Sequence, residues 1–464
     1  MRVAAIIPDG VGVRNFILGK FLRSLPAGTE AHVFHGVPDE ILCRVAQGIN
    51  GQARWHTIER FRPFGFVDLL QGSLGYAQMY WARTTAMQHT LGLPIHGRFS
   101  RRLLQYSKRL IGRAAASPRR MQLLEGPVFR ALTHTPEAAY YRAAFGKIRP
   151  TVLFCSQQLS PDAVPAVVAA KQLGIPSAAF IFSWDNLTSK GRIIAPFDHY
   201  LVWSQHMKDE LLHYYPNVRS ERVHIVGTPQ FEPYADRNLL LSREEFFKSI
   251  QADPRRPLIC YSGGDAGTCP EDPQHLEVLM QAIRAGRIQR NPQVLVRPSP
   301  VDDGARYSGV RAKYPELIFS QPRWTHADDG VWSGFIPLPE DVVLLANLTY
   351  YADLNVNLGS TMILDFSIQD KPVVNVAFDI ADPPVFGMPV YNFYYNYEHL
   401  RPVLQCQATR IAKSADEFVT HVNAYLRDPS LDRDNRRRLI SLQILRPINE
   451  STKRLTNVLE YISL

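Results

Sequence analysis

The stretch Ala352-Asp353-Leu354-Asn355-Val356-Asn357-Leu358-Gly359-Ser360-Thr361-Met362-Ile363-Leu364-Asp365 decides how this chain is read. A buried strand ends at Asn357, a turn of small residues follows, and a helix starts at about Thr361. The start of a helix presents N–H groups without intrahelical partners and the positive end of the helix dipole, so such a turn attracts phosphate. Gly359 lets the backbone approach a ligand closely, and the hydroxyls of Ser360 and Thr361 add donors. Asp365 lies one turn into the helix, where a carboxylate could accept ribose hydroxyls. The same residues also make an ordinary Ser/Thr helix cap. The next strand, Val373–Val376, repeats the strand–turn–helix–strand rhythm in which ligands bind at the carboxyl ends of strands, and this favours phosphate.

Upstream the rhythm continues. Leu258–Tyr261 reads as a strand, Ser262–Gly267 as a loop, His275–Arg284 as a helix and Val294–Val296 as a strand. The backbone at Ser262 and Gly263 could lie against a donor phosphate, and Arg297, at a strand end, is a candidate phosphate partner. The N-terminal half alternates in the same way. Val3–Ile7, Ala31–Phe34, Trp55–Ile58, Val152–Phe154, Ala178–Phe182 and Tyr200–Trp203 read as strands. With 464 residues, 45 % apolar and 20 % charged, two domains with proper cores are expected. The fold class is α/β, with two Rossmann-like doubly wound domains. The first spans 1–232 and carries a helical insertion at about 62–147. A linker covers 233–256, the second domain 257–435, and a helix in 436–464 packs back onto the first.

A second functional stretch is Phe182-Ser183-Trp184-Asp185-Asn186-Leu187-Thr188-Ser189-Lys190-Gly191, which begins where a strand ends. Trp184 and Asn186 suit sugar recognition. Asp185 could take a proton from an acceptor hydroxyl. Lys190 could offset developing phosphate charge. The competing reading is a turn in which Asp185 or Asn186 caps local backbone. The first turn, Pro8-Asp9-Gly10-Val11-Gly12-Val13-Arg14-Asn15, lacks the full GxGxxG spacing and a Walker lysine. Asp9 is still a candidate to face the cleft.

The net charge is +9, and its distribution is uneven. Residues 69–124 hold no Asp or Glu but many arginines. In Arg101–Arg113, Leu103, Leu104, Ser107, Leu110 and Ile111 are expected on one helical face and the basic residues on the other. A basic amphipathic helix reads as an element that contacts anionic membrane, through 98–120, or as a surface helix with a solvated face. No RNA- or DNA-binding motif accompanies the charge, so nucleic acid is not expected. Five scattered cysteines give neither a disulfide framework nor a zinc site. No signal peptide and no apolar run of about 18 residues is present, so a cytoplasmic protein is expected, peripheral on the inner face of the membrane if the basic helix binds it. Asp302-Asp303 is the nearest acidic doublet and reads as a solvated loop.

Together these stretches resemble the GT-B glycosyltransferase superfamily, and within it the CDP-glycerol glycerophosphotransferases and related capsule-type transferases. The resemblance rests on Trp184–Lys190, on Arg297-Pro298-Ser299-Pro300 and on Ser360-Thr361-Met362-Ile363-Leu364-Asp365-Phe366. It implies two domains facing a cleft, a nucleotide donor site in the second and a crossing C-terminal helix. Two positions depart from the family pattern: its loop histidine is Asp185 here, and its second histidine is Ser299. An Asp base points from polyol-phosphate transfer towards a nucleotide-sugar donor. The resemblance therefore implies an inverting transferase that needs no bound metal or cofactor and acts on a polysaccharide or lipid-linked acceptor. The alternatives are a CDP-polyol phosphotransferase, a nucleotide-sugar 2-epimerase, and a non-catalytic carbohydrate-assembly factor.

Overall fold

Parallel strands covered on both faces need continuous apolar runs, and the strands of this chain have them. The computed structural model describes residues 1–46, 53–326 and 334–464. The first half contributes β1 (Arg2–Ile7), β2 (Glu30–His35), β3 (Arg54–Thr57), β4 (Val152–Cys155), β5 (Ser177–Phe180), β6 (His199–Val202) and β7 (Val223–Ile225). They form one parallel sheet in the order β3-β2-β1-β4-β5-β6-β7. The second half contributes β8 (Leu258–Ser262), β9 (Gln293–Arg297), β10 (Ile318–Phe319), a hairpin of β11 (Trp324–His326) and β12 (Phe335–Pro337), then β13 (Leu354–Asn357), β14 (Val373–Val376) and β15 (Arg410–Ala412). Its main sheet is also parallel, in the order β10-β9-β8-β13-β14-β15.

Strand order reverses once in each sheet, between β1 and β4 and between β8 and β13. In open α/β sheets the crevice outside such a reversal is where ligands bind. Asp9 follows β1, Gly263 follows β8, and the turn Leu358–Thr361 follows β13, so these candidate residues lie at the two reversals. Trp184 to Lys190 follow β5, next to β4 in the same sheet.

The core of the first half is aromatic under β1. Phe16 meets Phe21, Phe154 and Phe180 edge-on at 5.1–5.8 Å, and truncating such a ring costs about 3–5 kcal/mol. The C-terminal segment returns to this half. Arg454 Nε donates to the Val226 carbonyl at 3.0 Å, and Thr452 gives its N–H and its hydroxyl to Glu232 at 2.6 and 2.8 Å. Among the described residues, no helix is long and apolar enough to cross a membrane.

Between β3 and β4 lie five helices: Gly65–Ala82, Thr85–Gly92, Phe99–Ala114, Pro118–Leu132 and Pro136–Ile148. Of the two readings of the helix Phe99–Ala114, packing on its own domain through Leu103 and Leu110 is not found, and Lys108 is not on a solvated face. Lys108 is buried, with both Asp68 carboxylate oxygens 2.8 Å from its Nζ, while Leu103 and Leu110 are exposed. The cause is close packing on Gly65–Ala82. A Cβ on Gly112 would lie 2.6 Å from Tyr76 Cβ, and one on Gly72 would lie 2.6 Å from Lys108 Cδ. Two glycines and an ion pair make the contact side, which leaves the leucines outside.

Candidate active site

A chain of buried amides fixes the second-domain wall. Asn355 Nδ2 donates to Ser262 Oγ at 2.7 Å, and Asn357 Nδ2 to Asn355 Oδ1 at 2.6 Å. Asn357 Oδ1 accepts from Asn375 Nδ2 at 2.9 Å and from the Ser360 N–H at 3.0 Å. Buried polar groups must be paired, and here the pairing links the loop after β8 to the turn after β13. Gly359 adopts φ +63°, a conformation that suits glycine. Ser360 Oγ accepts from the Met362 N–H at 3.3 Å, whereas Thr361 makes no side-chain cap bond. Ser360 and Thr361 are both half-buried.

The loop after β8 is fixed from within. The Gly263 N–H bonds the Arg297 carbonyl at 2.9 Å and the Gly264 N–H bonds Asp272 at 2.6 Å, so both amides are engaged by the protein itself. A Cβ on Gly263 would fall 2.2 Å from the Tyr307 hydroxyl. Arg297 is buried and bonds both oxygens of Asp341 through Nη2, at 3.0 and 2.8 Å. Its buried Nη1 has no hydrogen-bond partner among the described residues. Asp302 is not solvated as expected: it is buried, and Oδ1 accepts the Gly304 N–H at 2.9 Å.

Asp365 is buried, and Oδ1 accepts the hydroxyl of Tyr234, which lies in the segment joining the two sheets. Burial pushes this carboxyl up to about 6, against the Tyr234 bond and the charges of Arg14 and Arg297. Asp9, at the other reversal, is also pushed up to about 6 by burial, against the N–H groups of Gly12 and Val11 and the charges of Arg14 and Arg60. Its Oδ1 accepts the Gly12 N–H at 2.8 Å, and its buried Oδ2 has no partner among the described residues. Arg14 therefore acts on one carboxylate from each domain. The two domains touch at this point: a Cβ on Gly10 would lie 1.7 Å from the Phe335 carbonyl oxygen of β12.

Asp185 does not cap backbone with its side chain. Oδ1 accepts from Ser183 Oγ and Oδ2 from Ser189 Oγ, both at 2.6 Å, and Asn186 Nδ2 lies 3.4 Å from Oδ1. Burial raises this carboxyl, but His399, the two serines and Lys190 together hold it below the ordinary carboxylate value. Asn186 Oδ1 accepts from Gln158 Nε2 at 3.0 Å, and Gln158 Oε1 accepts the Phe182 N–H at 3.0 Å, which ties the loop to the end of β4. Trp184 is buried and packs on the ring of His399. Lys190 is exposed.

His399 belongs to the second domain. Burial lowers its imidazole, against the charges of Asp185 and Glu398, and its buried Nδ1 has no partner among the described residues. Its neighbour Glu398 accepts the Thr85 N–H at 3.1 and 3.0 Å, at the start of a helix of the insertion. Glu210, on the helix Gln205–Tyr214, is pushed up to about 8 by burial and by the Glu398 charge. Sequence reasoning missed His399, Glu398, Arg14 and Tyr234. Arg14 stands in the first turn but was given no role there, and the other three stand in no motif; all four reach their partners through tertiary packing. A separate cavity of about 330 Å³ lies between the helix Pro118–Leu132 and residues 192–200 and 214–218, away from both reversals.

No protein-family model matches the chain, and no curated protein matches it by sequence. Solved structures do match, over almost the full length. A glycosyltransferase from Rickettsia africae is 10 % identical, with 99 % of this chain and 98 % of that chain covered and a TM-score of 0.54. The UDP-GlcNAc 2-epimerase of Neisseria meningitidis, bound to UDP-GlcNAc, is 8 % identical, with 99 % and 100 % covered and a TM-score of 0.53. A UDP complex of MnaA from S. aureus is 9 % identical, with 99 % and 96 % covered and a TM-score of 0.54. Two parallel sheets, each reversing its strand order once, and these matches give the chain the GT-B fold, which glycosyltransferases and UDP-GlcNAc 2-epimerases share.

Proposed function

We propose that the protein is an inverting glycosyltransferase, moving a sugar from a nucleoside diphosphate sugar to a hydroxyl of a polysaccharide or glycolipid. The observation that carries this reading is Asp185: a carboxylate kept ionised, at a strand end, with a histidine of the opposite domain as its neighbour. In the reaction Asp185 takes the acceptor proton as the acceptor oxygen attacks the anomeric carbon, and the diphosphate leaves from the opposite face. Gly359, Ser360 and Thr361 hold the diphosphate, with the Arg297 Nη1 and Lys190 meeting its charge. Ser262 and Gly263 act by shaping the wall, because their polar groups already bond within the protein. Asp365 holds the ribose only through a shift of Tyr234; with Tyr234 in place it is a structural carboxylate. Trp184 and Asn186 line the acceptor side.

Asp185→Asn tests the reading. Transfer measured with a donor found by thermal-shift screening of nucleotide sugars is expected to fall about 100-fold or more, with nucleotide affinity unchanged. Activity retained within about threefold would remove Asp185 as the base.

One observation favours a second reading, a nucleotide-sugar 2-epimerase. Asp9 carries a buried oxygen with no partner among the described residues and a carboxyl raised to about 6, the properties of a proton-transfer group. Incubation with UDP-GlcNAc and no acceptor separates the two: a 2-epimer in the NMR spectrum supports the epimerase.

A further inference from the structure

Among the described residues, nothing covers the apolar stripe of the helix Phe99–Ala114. Phe99 is 81 % exposed, Leu103 56 %, Tyr106 51 % and Leu110 73 %. Their spacing of four, three and four residues puts them on one helical face. Leu93, 61 % exposed, adjoins them, since its carbonyl accepts from Arg109 Nη2 at 2.9 Å. Four large apolar side chains in a row on a surface mark an interaction site.

The surrounding charge names the partner. Arg98, Arg101, Arg102, Arg113, Arg119 and Arg120 are all exposed. The acids that bracket the segment are occupied internally: Asp68 holds Lys108 at 2.8 Å, and Glu125 holds Arg192 at 2.7 Å. No carboxylate from 69 to 124 offsets the arginines. A second copy of the same face would bring like charge against like. A nucleic acid would satisfy the arginines but leave the leucines in water. A bilayer with anionic headgroups satisfies both.

We infer that the helix Phe99–Ala114 docks the protein on an anionic lipid bilayer, lying in the interface plane with Phe99, Leu103 and Leu110 below the phosphates and the arginines among them. The inference does not depend on the reaction catalysed. It differs from a purely electrostatic attachment, because the stripe retains part of the affinity when salt screens the charges.

The test uses the full chain and vesicles of phosphatidylcholine with or without about 30 % phosphatidylglycerol. Co-sedimentation is expected to be several-fold greater with the anionic vesicles and to be reduced, but not abolished, by salt. Leu103→Ser/Leu110→Ser is expected to lower binding about tenfold at all salt concentrations, and Arg101→Gln/Arg102→Gln to lower chiefly the salt-sensitive part. These positions are exposed, so an unchanged thermal midpoint shows that the fold persists. A fluorophore on Leu110→Cys, in a Cys43→Ser background that removes the exposed native thiol, should shift to the blue with vesicles, and further with anionic than with neutral ones. Equal binding to both vesicle types by the parent and both variants would overturn the inference. So would absence of vesicle binding, including the case in which sedimentation equilibrium shows a dimer that Leu103→Ser/Leu110→Ser dissolves.

Discussion

Trp184 of the first domain meets His399 of the second edge to face, with ring centroids 5.4 Å apart and planes at 67°. Asp185 adjoins that contact, so the group proposed as base depends on both domains being in place. His399→Gln removes a charge that stabilises the ionised Asp185. The acid limb of the kcat/KM profile is then expected to move to higher pH, while activity at pH 8 changes little. A limb that stays where it is would show that His399 does not govern Asp185.

Asp365 gives a stability prediction with a definite sign. Its folded carboxyl lies near 6 against an ordinary value of 3.8. Between those values the folded state binds more protons than the unfolded one, so stability falls as pH rises through that window and levels off above it. Asp365→Asn keeps an acceptor for Tyr234 and removes the buried charge. Urea unfolding should show a gain of about 1–3 kcal/mol at pH 7.5 that disappears at about pH 4. A gain of the same size at both pH values would mean that burial of charge is not its origin.

The pair Lys108 and Asp68 predicts an asymmetry. Asp68→Asn leaves a buried ammonium without its counter-charge and should cost about 3 kcal/mol. Lys108→Met exchanges the ammonium for an apolar chain of similar length and should cost less than about 1 kcal/mol. Chemical denaturation of the two variants measures the difference, and equal costs would show that the pair is not desolvated.

Gly10→Ala places a methyl against the Phe335 carbonyl, with no flexible side chain to yield. Overpacking of this kind costs about 1–3 kcal/mol. The domains are expected to separate at that point, raising the radius of gyration in X-ray scattering. An unchanged radius and midpoint would mean that β12 moves aside freely.

The fold was legible because its signals are local. Val3–Ile7 and Leu354–Val356 are apolar strands ending in small-residue turns, and their alternation with helices is the pattern of a parallel sheet. The site was half legible. Asp9, Asp185 and Ser360 stand at strand ends, which a sequence reveals. His399 sits in an aromatic stretch with no motif, and Arg14 stands in a turn that reads as packing hardware, so neither announced that it would reach a carboxylate. The sequence left the orientation of Phe99–Ala114 open for a specific reason. Periodicity locates an apolar stripe but does not say whether it faces inward or outward; Gly72, Gly112 and the Lys108–Asp68 pair, which periodicity does not weigh, give the helix its contact on the other side.

Glu398 fills the start of the helix Thr85–Gly92 with a carboxylate from the second domain. Its neighbour in sequence is His399, whose ring flanks Trp184. A single dipeptide therefore ties both the helical insertion and the loop after β5 to the same piece of the second domain.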